Sequence, residues 1–275
     1  MTPESVLQHN DLGALWPADA DHASVDGAYQ SALAVRRLRI ARGERPVGFK
    51  IGFTNRTIWK RYRVFAPIWG TVWDTTLTLC DGAGSVDLQP TCQPRLEPEI
   101  VFGLATTPPD GASLEQLFAC LDWLAPGFEV VQSHRPDWKF TAAETIADGA
   151  LHARLLVGGR TAVRTLAGSG QELDDRLGAT RLRLYRGDVL IDEGSGVNVL
   201  DGPLHALHHF VQELERCPGA PRLQPGDVVT TGTWTDAWPI AVGQTWRSAC
   251  DAPFLPLQVT LTGTSQQAQG LSDSS

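Results

Sequence analysis

Residues 95–104 read RLEPEIVFGL and set two glutamates, Glu97 and Glu99, on either side of a proline inside an otherwise apolar run. A short stretch rich in isoleucine, valine and phenylalanine predicts a β-strand. On a strand, alternate side chains share a face, so Glu97 and Glu99 point the same way, about 6.5–7 Å apart along the chain. Two carboxylates withdrawn from water on one face repel each other and lose their hydration. Either this face lies in water at a sheet edge, or a cation sits between the two. Oxygen-only ligands favour a hard divalent ion, Mg2+ or Mn2+, over zinc. The pair alone leaves both readings open.

Two further stretches bear on the choice. GFEVVQSH, residues 127–134, places Glu129 between Phe128 and Val130 on a second predicted strand. A helical pattern between the two strands could bring them side by side. Three carboxylates around one divalent ion leave a net charge of about −1, with coordination positions open for water and substrate. GFKIGFT, residues 48–54, puts Lys50 between apolar strand residues with Gly48 and Gly52 nearby. A lysine in that setting either snorkels from a strand edge or reaches into a cleft, where it can hold an anion or move a proton.

Bulk properties narrow the function classes. The 275 residues suffice for one large domain, or a domain with a smaller lobe. A formal net charge of −8, without any Lys/Arg block, argues against nucleic-acid binding. No run approaches about 18 apolar residues, so no membrane span is expected. The N-terminus has neither a basic start nor an apolar run, and no secretory signal is expected. The five cysteines are odd in number and scattered, which fits a reduced, cytoplasmic compartment better than a disulfide framework or a zinc site.

Along the chain, Val25, Tyr29, Ala32, Val35 and Leu38 recur at helical steps, with Arg36, Arg37 and Arg39 expected in solvent and Gly43 as the stop. From about residue 70 the texture changes to short predicted strands: TVWDTTLTL, EIVFGL, FEVVQS, ARLLVGG, RLRLYRG, DVVTTG and PLQVTLTG. Two helical patterns interrupt them, SLEQLFACLDWLA and GPLHALHHFVQELER. Helices are too few for a repeating βαβ design. The pattern predicts a helical N-terminal lobe on a mostly β core. His205 and His209 are four apart on a predicted helix but lack the glutamate of a zinc-protease motif, so a structural role is expected. No nucleophilic-serine or phosphate-loop motif is present.

With GFKIGFT, EPEI and FEVV in this order, the chain resembles the 2-keto-4-pentenoate hydratase / 4-oxalocrotonate decarboxylase branch of the fumarylacetoacetate hydrolase superfamily. RIARGERPVGFKIGFTNRTI, PIWG, DWKFTAAETIADGA and LQPGDVVTTGTWTDAWPI extend the likeness over about residues 25–245. The resemblance implies an α+β fold: a mixed, β-rich roll of the superfamily's C-terminal type, with a small helical N-terminal lobe. Pattern and resemblance together divide the chain into a lobe over 1–65 that ends in the lysine strand and a metal-binding catalytic domain over 66–265; the polar, small residues of 266–275 predict a disordered tail. The resemblance implies Mg2+ or Mn2+ held by Glu97, Glu99 and Glu129, with Lys50 as the active-site lysine. Thr54, Trp69, Thr231, Gly232 and Thr233 fall where the family lines its substrate pocket.

The implied partner is a small 2-keto or 2-hydroxy-dienoic acid, and the implied assembly a homo-oligomer. The expected reaction is hydration of a 2-hydroxyalka-2,4-dienoate to a 4-hydroxy-2-keto acid. The alternatives are decarboxylation of a 2-keto-dioic acid, then C–C bond hydrolysis, then an inactive subunit that supports a partner enzyme. The chain departs from the hydratase pattern at Ile68, where an acidic residue is expected, and at Leu151 and His152, where small or hydroxyl residues are usual. That leaves His152 as the candidate for activating water. Trp69, Trp73, Trp138, Trp234 and Trp238 lie in or beside the matching segments, as core packing or as the wall of an apolar pocket.

Overall fold

In the computed structural model, which describes residues 1–20 and 24–263, the chain opens with helices α1 (Pro3–Leu12) and α2 (Val25–Ala41). Ser24 caps α2 by accepting from the Gly27 amide, and Gly43, with φ near 101°, turns the chain away beyond its end. The face that α2 buries carries Ala28, Tyr29 and Leu33, whereas Val25 is exposed. The arginines on this helix do not all face solvent. Arg39 is half-buried, pairs with Glu44 and lies 4.4 Å over the Trp73 ring.

Strand β1 (Pro46–Gly52) and the short helix α3 (Trp59–Tyr62) lead into β2 (Ile68–Trp73), β3 (Leu77–Leu79), β4 (Ala83–Asp87) and β5 (Arg95–Leu104). Helix α4 (Leu114–Cys120) then connects to β6 (Leu121–Val131), α5 (Ala142–Ala147), β7 (His152–Val157) and β8 (Thr161–Ala162). After α6 (Val163–Leu166) and α7 (Gly170–Ala179) come β9 (Arg181–Arg186), β10 (Val189–Ser195) and α8 (Pro203–Arg216). The described chain closes through β11 (Val228–Thr230), β12 (Trp238–Pro239), β13 (Thr245–Cys250) and β14 (Leu257–Thr262).

These strands form two sheets. The larger runs β2-β1-β11-β5-β6-β7-β3, with β12 added to β5 and β8 to β6. The smaller runs β10-β9-β13-β14-β4. Most pairs are antiparallel, but β1 with β11, β3 with β7 and β4 with β14 are parallel, so both sheets are mixed. The fold is α+β with a helical N-terminal part, as the pattern predicted. The lysine strand β1 is an inner strand of the larger sheet, hydrogen-bonded to both β2 and β11. The proposed tail lies outside the described residues.

The period-two alternation of β5 and β6 positions the site. Leu96, Ile100, Phe102, Leu124, Phe128 and Val130 point into the main hydrophobic core. The opposite face carries Glu97, Glu99 and Glu129 toward one end and Val101 and Ala125 toward the other; Leu155, level with Glu129, and Val157 join these two in a second, smaller apolar cluster. Strand β1 repeats the division: Phe49 and Ile51 enter the main core and Lys50 takes the other face. At about 25 cal/mol per Å2 of apolar surface, the main-core face supplies the burial that keeps the strands in register.

Local structure differs from expectation at several places, of which three are instructive. SLEQLFACLDWLA is a helix only to Cys120, and LDWLA is the first half of β6. Its apolar residues, Leu117, Phe118, Leu121 and Leu124, keep helical spacing across the boundary, so periodicity could not locate the break. Helix α7 was not expected, because GQELDDRLGA shows two leucines among polar residues. Strand β10 was missed because it is an edge strand with little buried surface.

Candidate metal centre

Glu97 and Glu129 are direct cross-strand partners in the β5–β6 ladder, and Glu99 sits opposite Gly127. One oxygen from each of Glu97, Glu99 and Glu129 lies within 4.8 Å of the other two. This is the only such group of potential metal ligands among the described residues. Glu99 and Glu129 are fully buried and Glu97 is half-buried. The Gly232 amide donates to Glu99 Oε2 at 2.7 Å, while Glu99 Oε1 is buried without any hydrogen-bond partner among the described residues. Lys50 Nζ lies 3.2 Å from Glu129 Oε2 and is itself buried.

The electrostatics follow from this crowding. Burial pushes Glu97 up to about 7, against the pull of Lys50 and with the added repulsion of Glu129. Burial, then Glu129 and Glu97, hold Glu99 well above the usual carboxylate range. Burial acts on Glu129 in the same direction but is outweighed by Lys50 and His152, which keep it low. Lys50 is raised because the three carboxylates outweigh its own desolvation. One ammonium does not neutralise three carboxylates. An unpartnered buried oxygen, an excess of negative charge and an oxygen-only donor set together fit a hard divalent cation.

The centre opens into a cleft of about 290 Å3. Lys50, Thr54, Glu97, Gly232 and Thr233 are among the residues that line it. A row of rings forms one wall: Phe53 stacks on Tyr62 at 4.8 Å, Tyr62 on Phe140 at 5.6 Å, and Phe140 meets Trp138 at 5.9 Å. Arg61 and Arg95 also line the cleft, the latter 4.2 Å over the Trp138 ring. Phe53, Trp138, Ala150 and Leu151, all in the lining, have φ between 56° and 67°. Such left-handed backbone in bulky residues concentrates at functional sites.

No protein-family model matches the chain. It is 31% identical over 222 residues to a 2-hydroxyhexa-2,4-dienoate hydratase of Comamonas testosteroni, covering 80% of both chains. It is 31% identical over 221 residues to a 4-oxalocrotonate decarboxylase of Pseudomonas sp. (strain CF600), covering 78% of each. The chain belongs to the family of 2-hydroxydienoate hydratases and 4-oxalocrotonate decarboxylases. Among solved structures, the 4-oxalocrotonate decarboxylase of Pseudomonas putida G7, complexed with magnesium and adipate, superposes with a TM-score of 0.83 at 25% identity, covering 94% of this chain and 95% of that one.

Against that family background, several residues take places the sequence did not indicate. His152 does not line the cleft. Its Nδ1 lies 2.7 Å from Glu129 Oε1 and its Nε2 2.8 Å from Thr76 Oγ1, behind the carboxylate. Trp69 is also outside the cleft, buried between Tyr29 (4.9 Å) and Phe210 (6.4 Å) in the main core. Thr231 is fully buried, and its hydroxyl donates to the Ile100 carbonyl at 2.8 Å, which fixes the turn that aims Gly232 at Glu99. Ile68 lines the cleft with an apolar side chain.

Of the remaining tryptophans, only Trp138 reaches the cleft. Trp73 and Trp234 are buried, and Trp238 donates to Asp192 Oδ2 at 2.9 Å. Sequence reasoning passed over Arg95, although its place two residues before Glu97 put it on the same strand face. The histidines of α8 hold no ion-binding set: His205 pairs with Asp174 at 3.2 Å. No helix among the described residues is long and apolar enough to cross a membrane.

Proposed function

We propose that the protein is a divalent-metal-dependent hydratase that adds water to a 2-hydroxyalka-2,4-dienoate and yields a 4-hydroxy-2-keto acid. The observation that carries this reading is the convergence of Glu97, Glu99 and Glu129 within 4.8 Å, with Lys50 buried beside them and lining the same cleft. Glu97, Glu99 and Glu129 would hold Mg2+ or Mn2+. When bound, the ion supplies Lewis-acid polarisation of the substrate's 2-oxygen and offsets negative charge as the dienol ketonises.

The chain's own groups do the rest. Lys50 Nζ holds the substrate carboxylate or passes a proton in the cleft. Gly232 N–H fixes Glu99. The ring wall from Phe53 to Trp138 shields the carbon skeleton, which lowers the local dielectric around the reacting atoms. A cytoplasmic homo-oligomer completes the proposal; none of the five cysteines forms a disulfide.

One observation favours a second reading. Arg61 and Arg95 line the same cleft, and two guanidinium groups suit the distal carboxylate of a 2-keto-dioic acid. Decarboxylation would draw on the same ligands and on Lys50. Incubation of the Mg2+-loaded or Mn2+-loaded protein with dienol acids, with and without a distal carboxylate, tests both. Hydration gives loss of the dienol ultraviolet absorbance without gas; decarboxylation gives stoichiometric CO2. Unaltered turnover in a Glu97→Ala/Glu99→Ala variant would overturn the metal-centred proposal in either form.

A further inference from the structure

Glu129 differs from its two companions in having an imidazole at its back. The ladder between β6 and β7 pairs Glu129 with Leu155 and Val130 with Arg154, then shifts so that Val131 faces His152. Ala153 is therefore an extra residue, a β-bulge. Without it, strict alternation would send His152, three residues from Leu155, to the face opposite Glu129. The bulge inverts that parity and brings His152 Nδ1 to 2.7 Å from Glu129 Oε1. An ionised carboxylate only accepts, so Nδ1 is the donor.

The far side of the ring also has a partner, a hydroxyl whose one hydrogen is shared between Nε2 and the Trp73 carbonyl 3.1 Å away. Nε2 lies 2.8 Å from Thr76 Oγ1. Thr76 is buried in the turn after β2, where its side-chain oxygen also accepts from the Trp73 amide at 3.1 Å. The Thr76 carbonyl accepts from Leu155 N at 2.8 Å, which ties this turn to β7 itself. Turn, ring and carboxylate thus form one continuous chain of hydrogen bonds running from backbone to the metal centre, on the side away from the cleft.

We propose that His152, anchored by Thr76, is a positioning residue for the metal centre: its Nδ1–H fixes the rotation of the Glu129 carboxylate and so preorganises the ligand set. This rests on reading Glu97, Glu99 and Glu129 as metal ligands. It gives His152 a role distinct from activating water, because the ring has no edge in the cleft. Hydrogen-bonded partners behind metal ligands contribute to affinity through orientation, and their removal costs about 10–100-fold.

The test is Mn2+ binding to the full chain, measured by paramagnetic resonance of the free ion and by calorimetry. The variants are His152→Leu, His152→Asn and Thr76→Val, with Glu99→Gln as control. His152→Leu removes the donor and is expected to weaken Mn2+ about 10–100-fold. His152→Asn can place an amide N–H near the Nδ1 position and is expected to recover most of the affinity, a rescue that a merely space-filling ring would not give. Thr76→Val leaves the ring in place without its anchor and is expected to fall between the two.

Wild-type affinity in His152→Leu overturns the proposal, and so does an Asn variant as weak as the Leu one. Should His152→Leu fail to fold, Thr76→Val decides: unchanged Mn2+ affinity there overturns it. If the wild-type protein and Glu99→Gln both bind no Mn2+, the ligand assignment itself has failed, and that outcome is distinguishable from failure of the His152 role alone.

Discussion

Glu97 lies directly opposite Glu129 on adjoining antiparallel strands, the one cross-strand placement in which two like charges most oppose sheet formation. The strands tolerate it because the other face of the same residues' neighbours, Leu96, Phe128 and Val130, is wholly buried and fixes the register. A site that is destabilising when empty and stabilising when filled makes a clear prediction. Glu97→Gln is expected to raise the stability of the metal-free protein above neutral pH by about 0.2–1 kcal/mol and to weaken metal binding sharply. Denaturation in chelator and in Mn2+ reads both signs. A Gln variant less stable than wild type in chelator contradicts the account.

The same crowding sets a pH dependence. Glu97 is raised from an ordinary 4.5 to about 7 by burial, with Glu129 adding repulsion. A carboxyl raised on folding stabilises the folded state fully below its unfolded value, and that contribution is lost as pH rises through the folded value. The metal-free protein is therefore expected to lose stability between about pH 4.5 and 7 from this group. Metal affinity runs the other way, since the ion must displace the proton, and is expected to climb over the same interval. The gap in Tm between chelator and Mn2+ widens with pH; a gap that is flat from pH 5 to pH 8 (about three pH units) is the contrary result.

Lys50 is the only cation in contact with the three carboxylates among the described residues, and it is buried. Removing one partner of a buried ion pair costs about 3–5 kcal/mol, because the remaining charge is left uncompensated. Lys50→Met is expected to show a loss of that order in chelator. Mn2+ can restore part of it, since the ion supplies the missing positive charge. Activity is not expected to return with stability, because under the proposed function the ammonium also serves the substrate. Recovery of both on adding metal would reduce Lys50 to a charge-balancing role.

What could be read from the sequence was whatever strand parity determines. Glu97 and Glu99 share a face because they are two apart, and Lys50 stands out because Phe49 and Ile51 take the core. Parity fails where the backbone breaks it. The bulge at Ala153 sends His152 behind Glu129, and no spacing in DGALHARLLVG reveals an unpaired residue. The boundary between α4 and β6 was hidden for a related reason: β6 is buried on both faces, so its apolar run does not alternate and continues a helical pattern. Trp69 belongs to a matching segment, yet its ring follows the core face of β2; nothing local distinguishes that from a pocket wall.

Gly232 supplies the last prediction. Its φ of 97° is open to glycine and strained for other residues, and a Cβ built there would lie 2.0 Å from Thr54 Oγ1. The close approach serves the site, since it lets the Gly232 amide reach Glu99 Oε2 while Thr54 stays in the cleft wall. Gly232→Ala is expected to cost about 1–3 kcal/mol in backbone strain and to lose activity beyond that cost, because the amide no longer aims at Glu99. Pairing it with Thr54→Ala removes the nearest clashing atom but leaves Thr54 Cβ at 2.8 Å and the left-handed strain, so it should recover only part of the stability and not the activity. If Gly232→Ala alone folds with wild-type stability and turnover, then neither the left-handed turn nor its amide is holding Glu99 in place.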